Sequence, residues 1–241
     1  MFKRFLIAIL IFLVAILIAA DRVGAVLGAH VLASKVQDDE HLPNKPSASI
    51  GGIPFLTQAI GGKYSDVKIT ANDVPVSGVN VTTLKANLHG VHIPASKIIG
   101  NSVKTVPVDR VDGSAFVSFA DANSYLAKHK IAGQTIRLSA AGGGKANIVG
   151  SVTVAGHTFA LHGVGAASVS GNVISVDVSG LSGPATRANH PVNQVLSNVK
   201  ILVPLQGLPF RMTVDSVAVT SAGFSGTASA HDITLGGPTG D

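Results

Sequence analysis

The sequence contains no cysteine and no tryptophan, and Glu40 is its single glutamate. Without cysteine the chain has no disulfide framework, no thiolate nucleophile and no cysteine metal ligand, so its stability must come from its core. With one glutamate, most hydrolase templates that depend on carboxylates are excluded. Charged residues make up 13% of the chain, about half the usual share of a soluble domain. Ser, Thr, Asn and Gly must therefore cover much of the surface.

The residues that are present favour a β-rich globular fold. Apolar residues make up 46% of the 241 residues, enough for a sizeable core, and Val, Thr and Ser are abundant. The net charge of +5 includes Lys3 and Arg4; without them, 16 basic and 13 acidic residues leave +3. Because the basic residues stand singly, without interleaved aromatics, we expect no nucleic-acid partner. The weak basic bias fits contact with anionic lipid headgroups at a membrane surface.

An apolar run near the N-terminus predicts export. Lys3 and Arg4 precede 16 consecutive apolar residues from Phe5 to Ala20, and Asp21 ends the run. As a helix the run reaches roughly 24 Å, short of a bilayer core of about 30 Å, which favours a cleavable signal peptide. The lack of an Ala-x-Ala site near its end favours retention as an anchor instead. Residues 1–20 are therefore predicted to be a signal peptide or a signal anchor, and both alternatives place the rest in the periplasm or cell envelope.

The pattern after the apolar run predicts an α+β fold. From Asp21 to Gln37 the apolar residues follow the spacing of an amphipathic helix, with Asp21 as its cap. A β region begins near Ile50, and alternating residues predict ten strands of a large antiparallel sheet. The predicted strands are residues 63–71, 79–93, 103–111, 135–140, 145–155, 158–164, 172–178, 200–205, 211–220 and 223–235.

Two short helices are predicted to interrupt the strands, at Ser118–His129 and Asn189–Val199, where apolar residues recur at three- and four-residue spacing. Residues 21–235 are predicted to form a single domain. The Gly- and Pro-containing tail, residues 236–241, is predicted to be disordered.

The sequence offers no convincing catalytic or metal site. The pairs His89 and His92, and His157 and His162, have odd spacings within strands, which would put the two imidazoles on opposite faces. No Gly-x-Ser-x-Gly nucleophile motif occurs, and the glycine run at residues 142–144 predicts a hairpin turn instead of a phosphate loop. Asp73, Asp109 and Asp112 are interpreted as turn residues. We therefore expect no enzyme activity, no metal and no cofactor.

Several motifs resemble those of the LmeA-like phospholipid-binding proteins of actinobacteria. The resemblance covers essentially the whole chain after the apolar run, and the Pro-Phe-Leu-Thr-Gln block is its most specific part. One departure is Ile53, where the family usually carries an aromatic residue. The segments that carry the resemblance are Ala20–Arg22, Gln37, Gly52–Gln58, Gly62–Val67, Gly207–Phe210, Val217–Thr220 and Gly223–Phe224.

The resemblance implies an exported or membrane-anchored envelope protein with a fold similar to the tubular lipid-binding proteins, in which a long N-terminal amphipathic helix is wrapped by a highly curved antiparallel sheet. It also implies binding or transfer of phospholipid, support for maturation of lipoglycans such as lipomannan, and no catalytic residues. Phospholipid or a lipoglycan anchor would be the partner. The alternative is a structural module that scaffolds envelope glycan enzymes.

Eight apolar residues are candidates for a lipid-binding groove between the helix and the sheet. The residues alone favour an ordinary core, whereas the resemblance favours the groove, and both interpretations stay open. The candidates are Val23, Val26, Leu27, Val31, Phe55, Leu56, Ile60 and Phe210.

Overall fold

The computed structural model describes most of the chain and confirms the α+β class. The described residues are 2–76, 78–94, 96–97, 105–129, 136–154, 157–170, 173–182, 199–204 and 212–235. Within them, three helices and eleven strands occur, and the first helix is by far the longest. The predicted helix Asn189–Val199, except for Val199 at the start of a strand, lies outside the described residues. So do Phe210 and the predicted tail at 236–241.

The long N-terminal helix, α1, runs without interruption from Phe2 to Asp39. It includes both the apolar run and the predicted amphipathic helix, so the prediction that a helix begins at Asp21 is wrong. The charged pair Asp21 and Arg22 does not end the apolar helix, because both residues are tolerated in a helix interior at small cost. The predicted end of the helix near Asp38–Glu40 is confirmed.

The remaining elements follow in a regular order. They are β1 (Ser47–Gly51), α2 (Phe55–Gly61), β2 (Lys63–Val76), β3 (Val79–His92), β4 (Val106–Ser118), α3 (Phe119–Lys128), β5 (Arg137–Gly142), β6 (Lys145–Val154), β7 (His157–Ser170), β8 (Val173–Ser182), β9 (Val199–Pro204), β10 (Thr213–Val219) and β11 (Gly223–Leu235). Each of the ten predicted strands corresponds to one of β2–β11, and the helix predicted at Ser118–His129 is α3. The helix α2 was not predicted.

The strands form two open sheets instead of one. One has six strands in the order β1-β2-β3-β4-β11-β10, and the other has five in the order β5-β6-β7-β8-β9. In β1 and β2, Ser47 pairs with Thr70 and Gly51 pairs with Asp66. The predicted hairpin turn joins β5 and β6, where Gly142 opposes Lys145 and residues 142–144 all have positive φ, which favours glycine.

The described chain divides into two compact units. Unit 1 comprises residues 1–71, 85–112 and 230–241, and unit 2 comprises residues 72–84 and 113–229. The single domain at 21–235 stays a prediction. Buried apolar residues of unit 1 include Phe55, Tyr64, Val67, Leu88, Val91, Val108, Val111 and Ile233. Those of unit 2 include Val74, Val81, Ala146, Val178 and Val219.

In unit 2 the start of α3 is held by a group of hydrogen bonds to one carboxylate. Ser118 caps the helix by accepting from the Asp121 N–H at 3.0 Å. The Asp121 carboxylate in turn accepts from the Ser118 hydroxyl at 2.6 Å, from the Thr82 hydroxyl at 2.6 Å and from the Asn80 amide at 3.0 Å. These bonds hold the pKa of Asp121 below its usual value. The cluster therefore ties α3 to β3 and is structural.

Candidate functional site

The helix α1 packs on unit 1 through a face of small residues. We call Ala25, Ala29 and Ala33 the alanine face; they are 8%, 7% and 4% exposed. Beside them, a Cβ added at Gly24 would lie 3.1 Å from Phe55 Cε1, and one at Gly28 would lie 3.3 Å from Ile50 Cδ1. The small residues thus let Phe55 and β1 approach the helix backbone closely. The inner side of α1 is filled by these contacts.

The first turn of α2 is capped by a carboxylate from α1. The Leu56 N–H donates to Asp21 Oδ1 at 2.8 Å, whereas the N-cap residue of α2, Pro54, makes no side-chain capping bond in the described structure. Arg22 pairs with the Asp21 carboxylate and donates to the Gly52 carbonyl at 3.4 Å. Asp21 therefore caps a different helix from the one predicted. It fixes α2 beside the point where the apolar run ends.

The opposite side of α1 presents large apolar side chains to solvent. We call Val23, Val26, Leu27 and Val31 the outer face; they are between 58% and 68% exposed. The large apolar residues of the preceding run are also exposed. Since monomeric soluble proteins rarely expose contiguous apolar patches of this kind, the outer face is a candidate interaction surface.

The structure separates the eight lipid-binding candidates into three groups. The four residues of the outer face are exposed, and so are Leu56 at 36% and Ile60 at 84%, so the core interpretation does not hold for these six. Phe55 is buried, with its ring 6.1 Å from that of Tyr64, and belongs to the core. Phe210 lies outside the described residues. Whether any of them binds lipid stays a prediction.

The valines and the leucine of α1 lie on its exposed side. Close packing against β1 and Phe55 selects alanine and glycine on the other side. The signal that could have indicated this is the set of small residues at four-residue spacing, Gly24 and Gly28 beside the alanine face.

Unit 1 also carries two groups of charged residues that link neighbouring strands. Asp109 Oδ1 lies 2.8 Å from His92 Nε2, and Asp109 Oδ2 lies 3.2 Å from Lys63 Nζ. The hydrogen bond to His92 and then that to Lys63 hold the pKa of Asp109 below its usual value. Asp109 lies within β4, so its interpretation as a turn residue is wrong. Its partners on β2 and β3 explain why a carboxylate suits a strand here.

The second charged group surrounds His89. Its Nδ1 lies 3.5 Å from Asp66 Oδ1 and its Nε2 lies 3.4 Å from Asp112 Oδ2. Arg110 donates bidentate hydrogen bonds to the Asp112 carboxylate and lowers the pKa of that carboxyl. Asp112, like Asp109, lies in β4 and not in a turn, and Asp73 lies in β2. No set of three or more His, Asp or Glu side chains among the described residues is arranged to hold a metal ion.

By length and composition α1 is able to cross a membrane. Its apolar run continues into the exposed outer face, and such a helix is typical of proteins that act on lipids or at membranes. The chain belongs to the LmeA-like phospholipid-binding family, whose model matches residues 19–229. The match begins two residues before Asp21 and includes the outer face and α2. No curated protein and no solved structure matches the chain.

Proposed function

We propose that the protein is a non-enzymatic lipid-binding or lipid-transfer protein of the cell envelope. The observation that carries the proposal is the exposed outer face of α1 in a member of a phospholipid-binding family. Acyl chains of a phospholipid lie against this face and against Leu56 and Ile60 of α2. The family is described by phospholipid binding, which supports a role without catalysis.

The location of the acyl chains differs from the groove expected between helix and sheet. The close contacts of Phe55 and Ile50 with Gly24 and Gly28 occupy the inner side of α1, which supports placing the lipid on the outer side. Each methylene that leaves water contributes about 0.8 kcal/mol, so acyl chains can be held by area alone, without a specific polar group.

We further propose that the protein is exported and acts at the envelope membrane. If residues 1–20 stay attached, the uninterrupted helix α1 holds the outer face directly beside the bilayer, which suits the loading and unloading of phospholipid. A role in lipoglycan maturation, with a lipoglycan anchor as a second ligand, rests on the family resemblance.

Mass spectrometry of organic extracts tests the proposal. A version beginning at Ala19, where the family match begins, is gently purified beside the same version carrying Leu27→Asp, so that non-specific carry-over is measured. Stoichiometric phospholipid in the former and a clear loss in the latter is the expected result. A protein that is empty and fails to take up added phospholipid would overturn the proposal and favour the scaffolding alternative.

A further inference from the structure

The turn between β1 and α2 carries one of the most exposed large apolar side chains of the described chain. Ile53, between Gly52 and Pro54, is 82% exposed. A polar residue would fit this position in the turn equally well. A single exposed isoleucine is ordinary on a protein surface. The location and the hydrogen bonding of this turn, however, suggest a role for Ile53.

The turn lies beside the end of the apolar run. Arg22 donates to the carbonyl of Gly52, and Asp21 accepts from the N–H of Leu56, three residues after Ile53. Ala20, the last residue of the run, precedes Asp21 by one helical step of about 1.5 Å. A bilayer that surrounds the run therefore ends beside Ile53.

Two carbonyls that flank Ile53 accept hydrogen bonds from side chains. The carbonyl of Gly51 accepts from Gln58 Nε2 at 3.2 Å, and the carbonyl of Pro54 accepts from the Thr57 hydroxyl at 2.9 Å and from Gln58 Nε2 at 3.3 Å. Pro54 has no N–H to satisfy. Because a backbone polar group that loses water without a partner costs several kcal/mol, side-chain bonds of this kind allow a turn to enter lipid.

We infer that Ile53 inserts into the bilayer surface and that Ile53 and the apolar run together hold unit 1 against the membrane. The partner is the lipid bilayer itself. The inference goes beyond the proposed function, since a protein can carry phospholipid on α1 without contact between this turn and a bilayer.

The absence of cysteine makes the test direct, because a single introduced thiol is the only labelling site. Full-length protein carrying Ile53→Cys, labelled with the fluorophore NBD, is reconstituted into vesicles of phosphatidylcholine and phosphatidylglycerol. The matched control is Glu40→Cys, just after the C-terminal end of α1 and roughly 28 Å from Asp21 along the helix axis. Both positions are exposed, so neither substitution removes core packing.

Phospholipids that carry a quencher near the headgroup should quench the label at position 53 several-fold more than the label at position 40, with a blue shift only at position 53. Equal quenching at the two positions, or none at position 53, would overturn the inference. Phospholipid uptake is measured on the same labelled protein. Uptake without quenching would reject the bilayer contact and keep the proposed function. Quenching without uptake would support the bilayer contact and count against the proposed function.

Discussion

Leu27→Asp is expected to reduce lipid binding while leaving the fold intact. Leu27 is 61% exposed and belongs to the outer face, whereas Ala29, two residues later, is 7% exposed and packs in the alanine face. The same change at Ala29 is therefore a control that alters the helix similarly but reaches the core.

The magnitude follows from the exposed area. Full burial of a leucine side chain contributes about 1.5–3 kcal/mol, and about 60% of Leu27 is open to a ligand. Loss of this contact should weaken phospholipid binding by about 1–2 kcal/mol, or about 5- to 30-fold. Since the site is exposed, the free energy of unfolding should change by only about 0.5 kcal/mol. Ala29→Asp buries an unpaired carboxylate and should cost about 3–5 kcal/mol of stability.

Uptake of a fluorescent phospholipid and urea unfolding of the two variants provide the measurement. The reasoning is refuted if Leu27→Asp destabilises the fold as much as Ala29→Asp, because Leu27 would then be an ordinary core residue. Unchanged phospholipid uptake by a folded Leu27→Asp variant would refute the outer face as the binding surface.

Three further predictions concern the stability of the fold. Gly24→Val should destabilise the protein by about 1–3 kcal/mol in urea, since its side chain has no room beside Phe55; an unchanged unfolding midpoint would contradict this packing. Asp121→Ala should cost at least about 1 kcal/mol and lower the melting temperature by a few degrees, since the hydrogen bonds that its carboxylate accepts from Ser118, Thr82 and Asn80 are lost. The folded-state pKa values of Asp109 and Asp112 lie below 3.8, so both stabilise the fold above that pH and lose this effect as the pH falls further. Asp109→Asn should therefore melt below the unchanged protein at pH 6, and the difference should shrink towards pH 3, where a constant difference would disprove the assignment.

The strands were predictable from the sequence because alternation and β-branched residues act locally. The β11 strand, Gly223–Leu235, has the predicted bounds, and α3 differs from its prediction by one residue at each end. Helix α2 was not predictable in this way. Its first residues follow a double glycine and a proline, which indicate a turn, and its cap is Asp21, 34 residues before Phe55 in the sequence. A partner so distant leaves no local signal.

The sequence offers the candidate residues but not their environment. Hydropathy identified Val26, Leu27 and Val31 as important because they are large and apolar. It could not show that β1 and Phe55 would occupy the other side of α1, where only small side chains fit. The pairing of Asp109 and Asp112 with residues of neighbouring strands was missed for a related reason, although the predicted strand at residues 103–111 includes Asp109. Their partners come from neighbouring strands, and the sheet order that brings them together is not contained in any local window.

Photocrosslinking with a phospholipid that carries a diazirine in its acyl chain tests the central claim most directly. After illumination and digestion, mass spectrometry locates the labelled peptides on the chain. Crosslinks concentrated in residues 23–31 and 56–60 would support acyl-chain binding on the outer face of α1 and on α2. Crosslinks confined to unit 2, or none above the level of the Leu27→Asp variant, would contradict it.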